Sequence, residues 1–230
     1  MLTLDPEAYS LRWYREIFND PKWILAIKNS FFIGILSTIL ATILGTCAAI
    51  GLARDEMPFR RFITALLLSP MIVPLIITAA GMFFFYSNLG LAGGYLGVIL
   101  AHAALGTPFV IITVTATLTG FDYSLARAAL NLGATPIRVF FDVIMPLIRP
   151  GVISGALFAF ITSFDEVVVI LFMAGPQQRT IPRQMFSGLR EQINPSILAI
   201  ATLLILLSIA LLVTLELLRR RAERMRGIEI

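Results

Sequence analysis

Five long apolar runs, separated by shorter polar links, set the pattern of this chain. They cover residues 29–53, 62–86, 92–118, 152–174 and 196–218, here called spans a to e. Each is long enough for an α-helix to cross the hydrocarbon of a bilayer, which takes about 20 residues. Between residues 62 and 121 there is no Asp, Glu, Lys or Arg, room for two crossings and a hairpin. The pattern predicts an all-α, polytopic transmembrane helical bundle forming a single domain over residues 1–230.

Prolines and glycines interrupt the runs. Pro70 and Pro74 fall in span b and Pro108 in span c, and each frees a carbonyl that a neighbouring helix, a hydroxyl or water must take up. Gly34, Gly45, Gly51 and Gly81 permit close helix approach. Such residues suit a pathway that opens and closes, and equally suit ordinary bundle packing. In residues 1–28, Trp13, Tyr14, Phe18 and Trp23 are interleaved with Arg12, Arg15 and Lys22, as in a helix lying among lipid headgroups. A soluble extracytoplasmic tail is the competing reading. Asp20 and Pro21 read as the N-cap and first position of the helix that follows.

The link of residues 119–150 is far longer than a hairpin requires. Residues 124–132 form a short helical pattern with Leu125, Ala128, Ala129 and Leu132 on one face. Gly133 then stands where a left-handed, helix-ending residue belongs. Thr135 and Pro136 open a second helix, which carries Ile137, Phe140, Phe141 and Ile144 and is expected to close at Pro146. Helices this short are marginal in water, so the pair needs a partner or the membrane and reads as a docking element.

Composition narrows the class. Hydrophobic residues make up 58% of the 230 and charged residues 14%, against about 45–50% and 25% in ordinary soluble domains. The net charge of +4 belongs to arginines beside the spans, where they orient helices; no basic surface with stacking aromatics suggests nucleic acid. Links 54–61 and 119–150 and the tail 219–230 hold 3, 3 and 5 Lys and Arg, against 4, 0 and 3 on the opposite side. The tail is therefore expected in the cytoplasm and the N-terminal segment outside. The single cysteine, Cys47, excludes a disulfide within the chain and reads as a small buried hydrophobe. The mixed, charged first residues do not resemble a cleavable signal peptide.

Asp165 and Glu166 are the only acids deep within a run. A carboxylate in hydrocarbon costs at least about 2.5–3.5 kcal/mol, so such acids normally face a bundle interior or a wet cavity. Thr162 and Ser163 each precede one of them by three positions and share the helix face. This stripe is expected to face a transport pathway and attract a cation; a structural role, such as pairing with Arg179, is the alternative. His102 in span c has no acid one turn away and reads as a neutral residue bonded to a neighbouring helix rather than as a proton relay. No metal-ligand spacing, nucleophile with a base, or phosphate-cradling glycine loop occurs.

The link and span d together resemble the inner-membrane permeases of bacterial ABC importers. Arg127-Ala128-Ala129-Leu130-Asn131-Leu132-Gly133, continuing to Val143-Ile144-Met145-Pro146, has the spacing of that family's EAA signature. The resemblance implies a coupling helix that seats in a groove of the ATP-binding cassette subunit, through Ala128, Ala129, Gly133, Ala134, Ile144 and Pro146. Arg127 replaces the family's usual acid. Ser163-Phe164-Asp165-Glu166-Val167-Val168-Val169, Gly175-Pro176, Ile181-Pro182 and Asn194-Pro195 are similar to the spermidine/putrescine branch. Members of the family usually have a further span ahead of the segment equivalent to residues 11–14.

The resemblance implies a non-enzymatic bacterial inner-membrane subunit that binds no cofactor itself. ATP is then used by a separate ATP-binding cassette subunit, a second permease subunit (a paralogue in this branch) completes the pathway, and an extracytoplasmic solute-binding protein delivers the solute. An ion-gradient-driven secondary transporter or channel is the alternative, but such proteins usually carry more intramembrane ionisable residues or repeated halves. An intramembrane hydrolase would need a catalytic constellation that the chain does not offer.

Overall fold

The computed structural model describes residues 12–54, 57–119, 122–191 and 195–225, and among these every regular element is helical. α1 (Arg12–Asn19) is short and amphipathic. Asp20 follows in extended backbone and accepts the Lys22 amide at 2.8 Å, with Pro21 opening α2 (Pro21–Leu52) as the cap predicts. α2 therefore starts well ahead of residue 29 and carries Lys22 and Lys28 in its first turns. α1 packs against the bundle: Ile17 is buried with Trp23, Ala26, Phe164, Ala199 and Ile200. Cys47, expected inside, is exposed on the outer face of α2.

Span b is broken. α3 (Arg60–Ile72) and α4 (Leu75–Asn88) meet at 105° across Val73 and Pro74. Two prolines four apart remove successive hydrogen bonds from one side of the helix. At the first, the Ser69 hydroxyl donates to the freed Leu66 carbonyl at 2.8 Å, and α3 continues through Pro70. At the second, the ring of Pro74 holds Val73 extended, at φ −71° and ψ 137°, and the helix stops. Span c is α5 (Tyr95–Leu118), which begins after Gly94 and keeps Pro108 inside it.

In the long link, Asp122 accepts the Ser124 amide and opens α6 (Tyr123–Asn131). Gly133 has φ +87°. Thr135 accepts the Arg138 amide at 3.4 Å and Pro136 opens α7 (Pro136–Val139). The second helix does not close at Pro146. A π-helical turn, Phe140–Ile144, joins α7 to α8 (Met145–Asp165), making one helix of 30 residues from Pro136 to Asp165. There the Met145 amide reaches the Phe140 carbonyl, one residue farther back than in an α-helix. The ladder is already widened where the proline ring arrives, and the helix carries on.

Span d is also interrupted: α8 stops at Asp165, Glu166 is extended, and α9 (Val168–Met173) resumes the run. The link after α9 holds α10 (Ile181–Glu191), and α11 (Ser196–Met225) carries span e into the arginine-rich tail. Residues 1–11 and 226–230, and so the ends of both predicted terminal segments, lie outside the described residues.

α2, α5 and α8 form the centre. Their approach depends on Gly45 in α2 and Gly155 in α8, which lie against Val110 of α5: a Cβ on Gly45 would be 2.6 Å from the Val110 Cβ. Gly34 packs under the Phe160 ring, whereas Gly51 and Gly81 face open space. Toward the start of α2 and α5, the Asn29 amide donates to the Gln177 and Arg179 carbonyls at 2.7 and 2.9 Å and accepts from the Tyr95 hydroxyl. Asn29→Ala leaves these partly buried groups short of partners, at about 1–3 kcal/mol. The expected result is a thermal midpoint lower by about 2–4 °C per kcal/mol, read by heating the detergent-purified chain.

Candidate solute pathway and coupling surface

Glu166 makes the break in span d. Its carboxylate accepts the amides of Val169 at 2.9 Å and Ile170 at 3.2 Å, which in an unbroken helix would bond to the carbonyls of residues 165 and 166. The side chain thus caps α9 and satisfies donors that a helix start leaves orphaned. Glu166 is buried, and its Oε2 lies 3.6 Å from Nε2 of His102 in α5. On the other edge of the ring, Nδ1 is 2.8 Å from Ser163 Oγ. A carboxylate only accepts, so the tautomer with hydrogen on Nε2 suits both neighbours, with Ser163 donating to Nδ1. At 3.6 Å the Glu166 contact is outside hydrogen-bond range, and Nε2 has no hydrogen-bond partner. The sequence places no acid within a turn of His102; the fold brings one from another span.

Asp165 turns the other way. It is exposed and lines a cleft of about 530 Å³ with Thr162. The walls are Pro70, Met71 and Val73 from the break in span b, Leu105 and Phe109 from α5, and Glu166, Val167 and Val168 from the break in span d. The two broken spans therefore face each other across this cleft. The predicted stripe is divided by exposure: Asp165 is exposed and Thr162 half-buried at the cleft, while Ser163 and Glu166 are buried beside His102, Glu166 contributing to the cleft wall from its buried position. Arg179, the alternative partner for the acids, donates to Gln184 at 3.2 Å. One accessible carboxylate and one hydroxyl between apolar walls suit an ammonium group on an aliphatic body. Among the described residues, no three His, Cys, Asp or Glu side chains converge as metal ligands.

A second cleft, of about 670 Å³, lies at the other end of α3 and is lined by Arg60, Arg61, Thr64, Leu68, Ile112 and Thr115. Leu105, Phe109 and Ile112 follow one face of α5, so the two clefts lie in line along it. The sequence pattern did not mark this groove, because apart from Arg60 and Arg61, which read as charges flanking a span, every contributing position is an ordinary apolar or hydroxyl residue.

The link forms an apolar surface. Ala128, Gly133 and Pro146 are exposed, and Ala129, Ala134 and Ile144 are half-buried. Around them Leu125, Leu130, Leu132, Ile137 and Phe141 are exposed, Leu132 at 88% and Ile137 at 72%. Asp122 caps the same helix one turn before Arg127. Its bonds from Ser124, and then the Arg127 charge, hold its carboxyl below the usual range.

The family described as "Binding-protein-dependent transport system inner membrane component" matches residues 41–224. The chain is 33% identical over 215 residues to the spermidine/putrescine transport system permease protein PotC of Haemophilus influenzae, covering 94% of this chain and 84% of that one. It is 35% identical over 209 residues to the putrescine transport system permease protein PotI of Escherichia coli, covering 86% and 73%. Among solved structures, the MetNI methionine ABC transporter in its inward facing form aligns with a TM-score of 0.65 at 18% identity, over 90% of this chain and 96% of that one. A bacterial ABC transporter that imports alginate aligns with the same score and identity over 81% and 66%. These structures share the fold, and the family match and curated relatives settle the rest: the chain belongs to the inner-membrane permease components of binding-protein-dependent transport systems.

Proposed function

We propose that the chain forms half of the pathway of an ATP-driven importer for a small cationic solute, a polyamine such as spermidine or putrescine. The observation that carries this reading is Asp165, an accessible carboxylate in an apolar cleft between two broken spans. The relatives named for spermidine and putrescine transport support the choice of solute. Residues 1–230 act as one transmembrane unit in the bacterial inner membrane, with the arginine-rich tail in the cytoplasm. A solute-binding protein delivers the solute from outside, and a second permease, a paralogue, supplies the facing half.

ATP binds and is hydrolysed on separate ATP-binding cassette subunits. They dock on the surface around Ala128, Ala129, Gly133, Ala134, Ile144 and Pro146, where exposed leucines and Phe141 await cover. Leu132 and Ile137 add anchors of the kind that fill a partner's groove. Arg127 replaces an acid there, and Asp122 keeps a carboxylate within reach of it.

Asp165→Asn removes the cleft's accessible charge while keeping its size. In proteoliposomes holding the whole transporter, spermidine uptake is expected to fall at least about tenfold, equivalent to about 1.4 kcal/mol, with basal ATP hydrolysis retained. Wild-type uptake and ATPase stimulation in both Asp165→Asn and Glu166→Gln would overturn the solute assignment. Uptake driven by an ion gradient without ATP would favour a secondary transporter instead.

A further inference from the structure

We propose that His102 is a positioning residue for transport: with Ser163 it fixes Glu166 at the start of α9, and so sets which of two adjacent acids meets the solute. The inference rests on the reading that Asp165 faces the solute. His102 is 1% exposed in α5 and does not line the cleft. Its ring touches both sides of the break, Ser163 in the last turn of α8 at 2.8 Å and Glu166 within the break at 3.6 Å. Glu166 in turn holds the first amides of α9. One rigid ring therefore runs from α5 to the last turn of α8 and to the residue that caps α9.

The orientation of Asp165 follows from this clamp. At about 100° per residue, Ser163 and Glu166 lie close together on the inner face of the helix, and Asp165 stands about 200° round from Ser163. Holding the first two against α5 turns the third outward, into the cleft. Without the ring, Ser163 loses its acceptor, Glu166 is held only by α9, and the hinge is free to rotate. Either carboxylate can then turn to the solute. His102 acts on the solute only through these neighbours, which makes the idea separable from a general loss of structure.

The test is a double-mutant cycle on the complete transporter in proteoliposomes, reading the KM for spermidine uptake, basal ATP hydrolysis and the intactness of the complex. His102→Ala is expected to raise KM about tenfold with basal hydrolysis within about twofold of wild type. His102→Gln, whose amide reaches toward Glu166, restores most of the affinity. In a Glu166→Gln background, His102→Ala adds less than about twofold, because the group it positions is already altered. A wild-type KM in His102→Ala, or a full tenfold effect added to that of Glu166→Gln, would overturn the proposal. Should the alanine chain not assemble, His102→Asn, which reaches only Ser163, is compared with His102→Gln; equal KM values would overturn it too. Asp165→Asn, run alongside, reports on the solute reading alone: if it is silent while the cycle couples as expected, that reading fails, and of the proposal only the coupling of His102 to Glu166 survives.

Discussion

Replacing Gly155 with leucine is expected to leave little assembled protein in the membrane. A Cβ at this position would lie 2.5 Å from Thr113 Oγ1 and 2.8 Å from the Val110 Cα. The second contact is backbone, so α5 must move to admit even one carbon. Thr113 is not free to give way cheaply, because its hydroxyl donates to the Phe109 and Val110 carbonyls at 3.0 and 3.2 Å. Overpacking of this kind typically costs about 1–3 kcal/mol, and more where backbone shifts, out of a total stability of about 5–15 kcal/mol. Moving α5 also disturbs α2, since Gly45 meets Val110 from the other side. The measurement is the yield and thermal midpoint of the detergent-purified chain, with Gly51→Leu beside it. A Cβ on Gly51 meets nothing within 4 Å, so that chain is expected to match wild type. Equal midpoints for the two leucine variants would mean that α5 and α8 do not pack at Gly155.

At Gly133 the expected loss is of coupling, with assembly of the spans preserved. The residue has φ +87° and no atom within 4 Å of an added Cβ, so a substitution there meets backbone strain rather than crowding. The left-handed conformation costs an L-residue roughly 1–2 kcal/mol, least for Asn and more for β-branched side chains. Gly133→Val should therefore unwind the turn between α6 and α7 and scatter the exposed surface that Leu132 and Ile137 help to form. Solute-stimulated ATP hydrolysis is expected to fall by about tenfold or more and the ATPase subunit to be lost on purification, while the thermal midpoint of the isolated chain stays near wild type. Gly133→Asn should keep most of the activity. If valine and asparagine behave alike, conformation is not what this position supplies.

Local chemistry was the most legible part of the fold. Asp20 and Pro21, Thr135 and Pro136, and Gly133 each act on their own neighbours, and they form the caps and turn that their residue types predict. The apolar runs located the spans for the same reason, since hydropathy is a property of a segment. Where the chain breaks was harder to read. Pro70 and Pro74 look equivalent in sequence, yet α3 continues through the first, where the Ser69 hydroxyl takes up the Leu66 carbonyl, and stops before the second. In span d nothing but the side-chain choice of Glu166, to cap α9, divides the run. Pairings between spans were not legible at all. His102 meets Glu166 because α5 packs on α8, and Cys47 faces outward because of how α2 rotates against both. Adjacency gives Asp165 and Glu166 one role in the sequence, whereas the end of a helix between them leaves one exposed in the cleft and the other buried in its wall.

At the Val73–Pro74 elbow neither half-helix is long enough to cross alone. With 13 and 14 residues, each reaches about 20 Å at 1.5 Å per residue, against about 30 Å of hydrocarbon. Backbone groups released at such a bend are tolerated only beside water or other protein; with water filling the cleft beside it, the insulating layer is thinner here than elsewhere. The membrane voltage consequently drops over a shorter distance, and Asp165 stands beside it. Each unit of positive charge that crosses inward gains about 2.3 kcal/mol per 100 mV of inside-negative potential. For a polycation, the cell's electrical gradient is thus a second driving force alongside ATP; a neutral solute on the same route gains nothing from it.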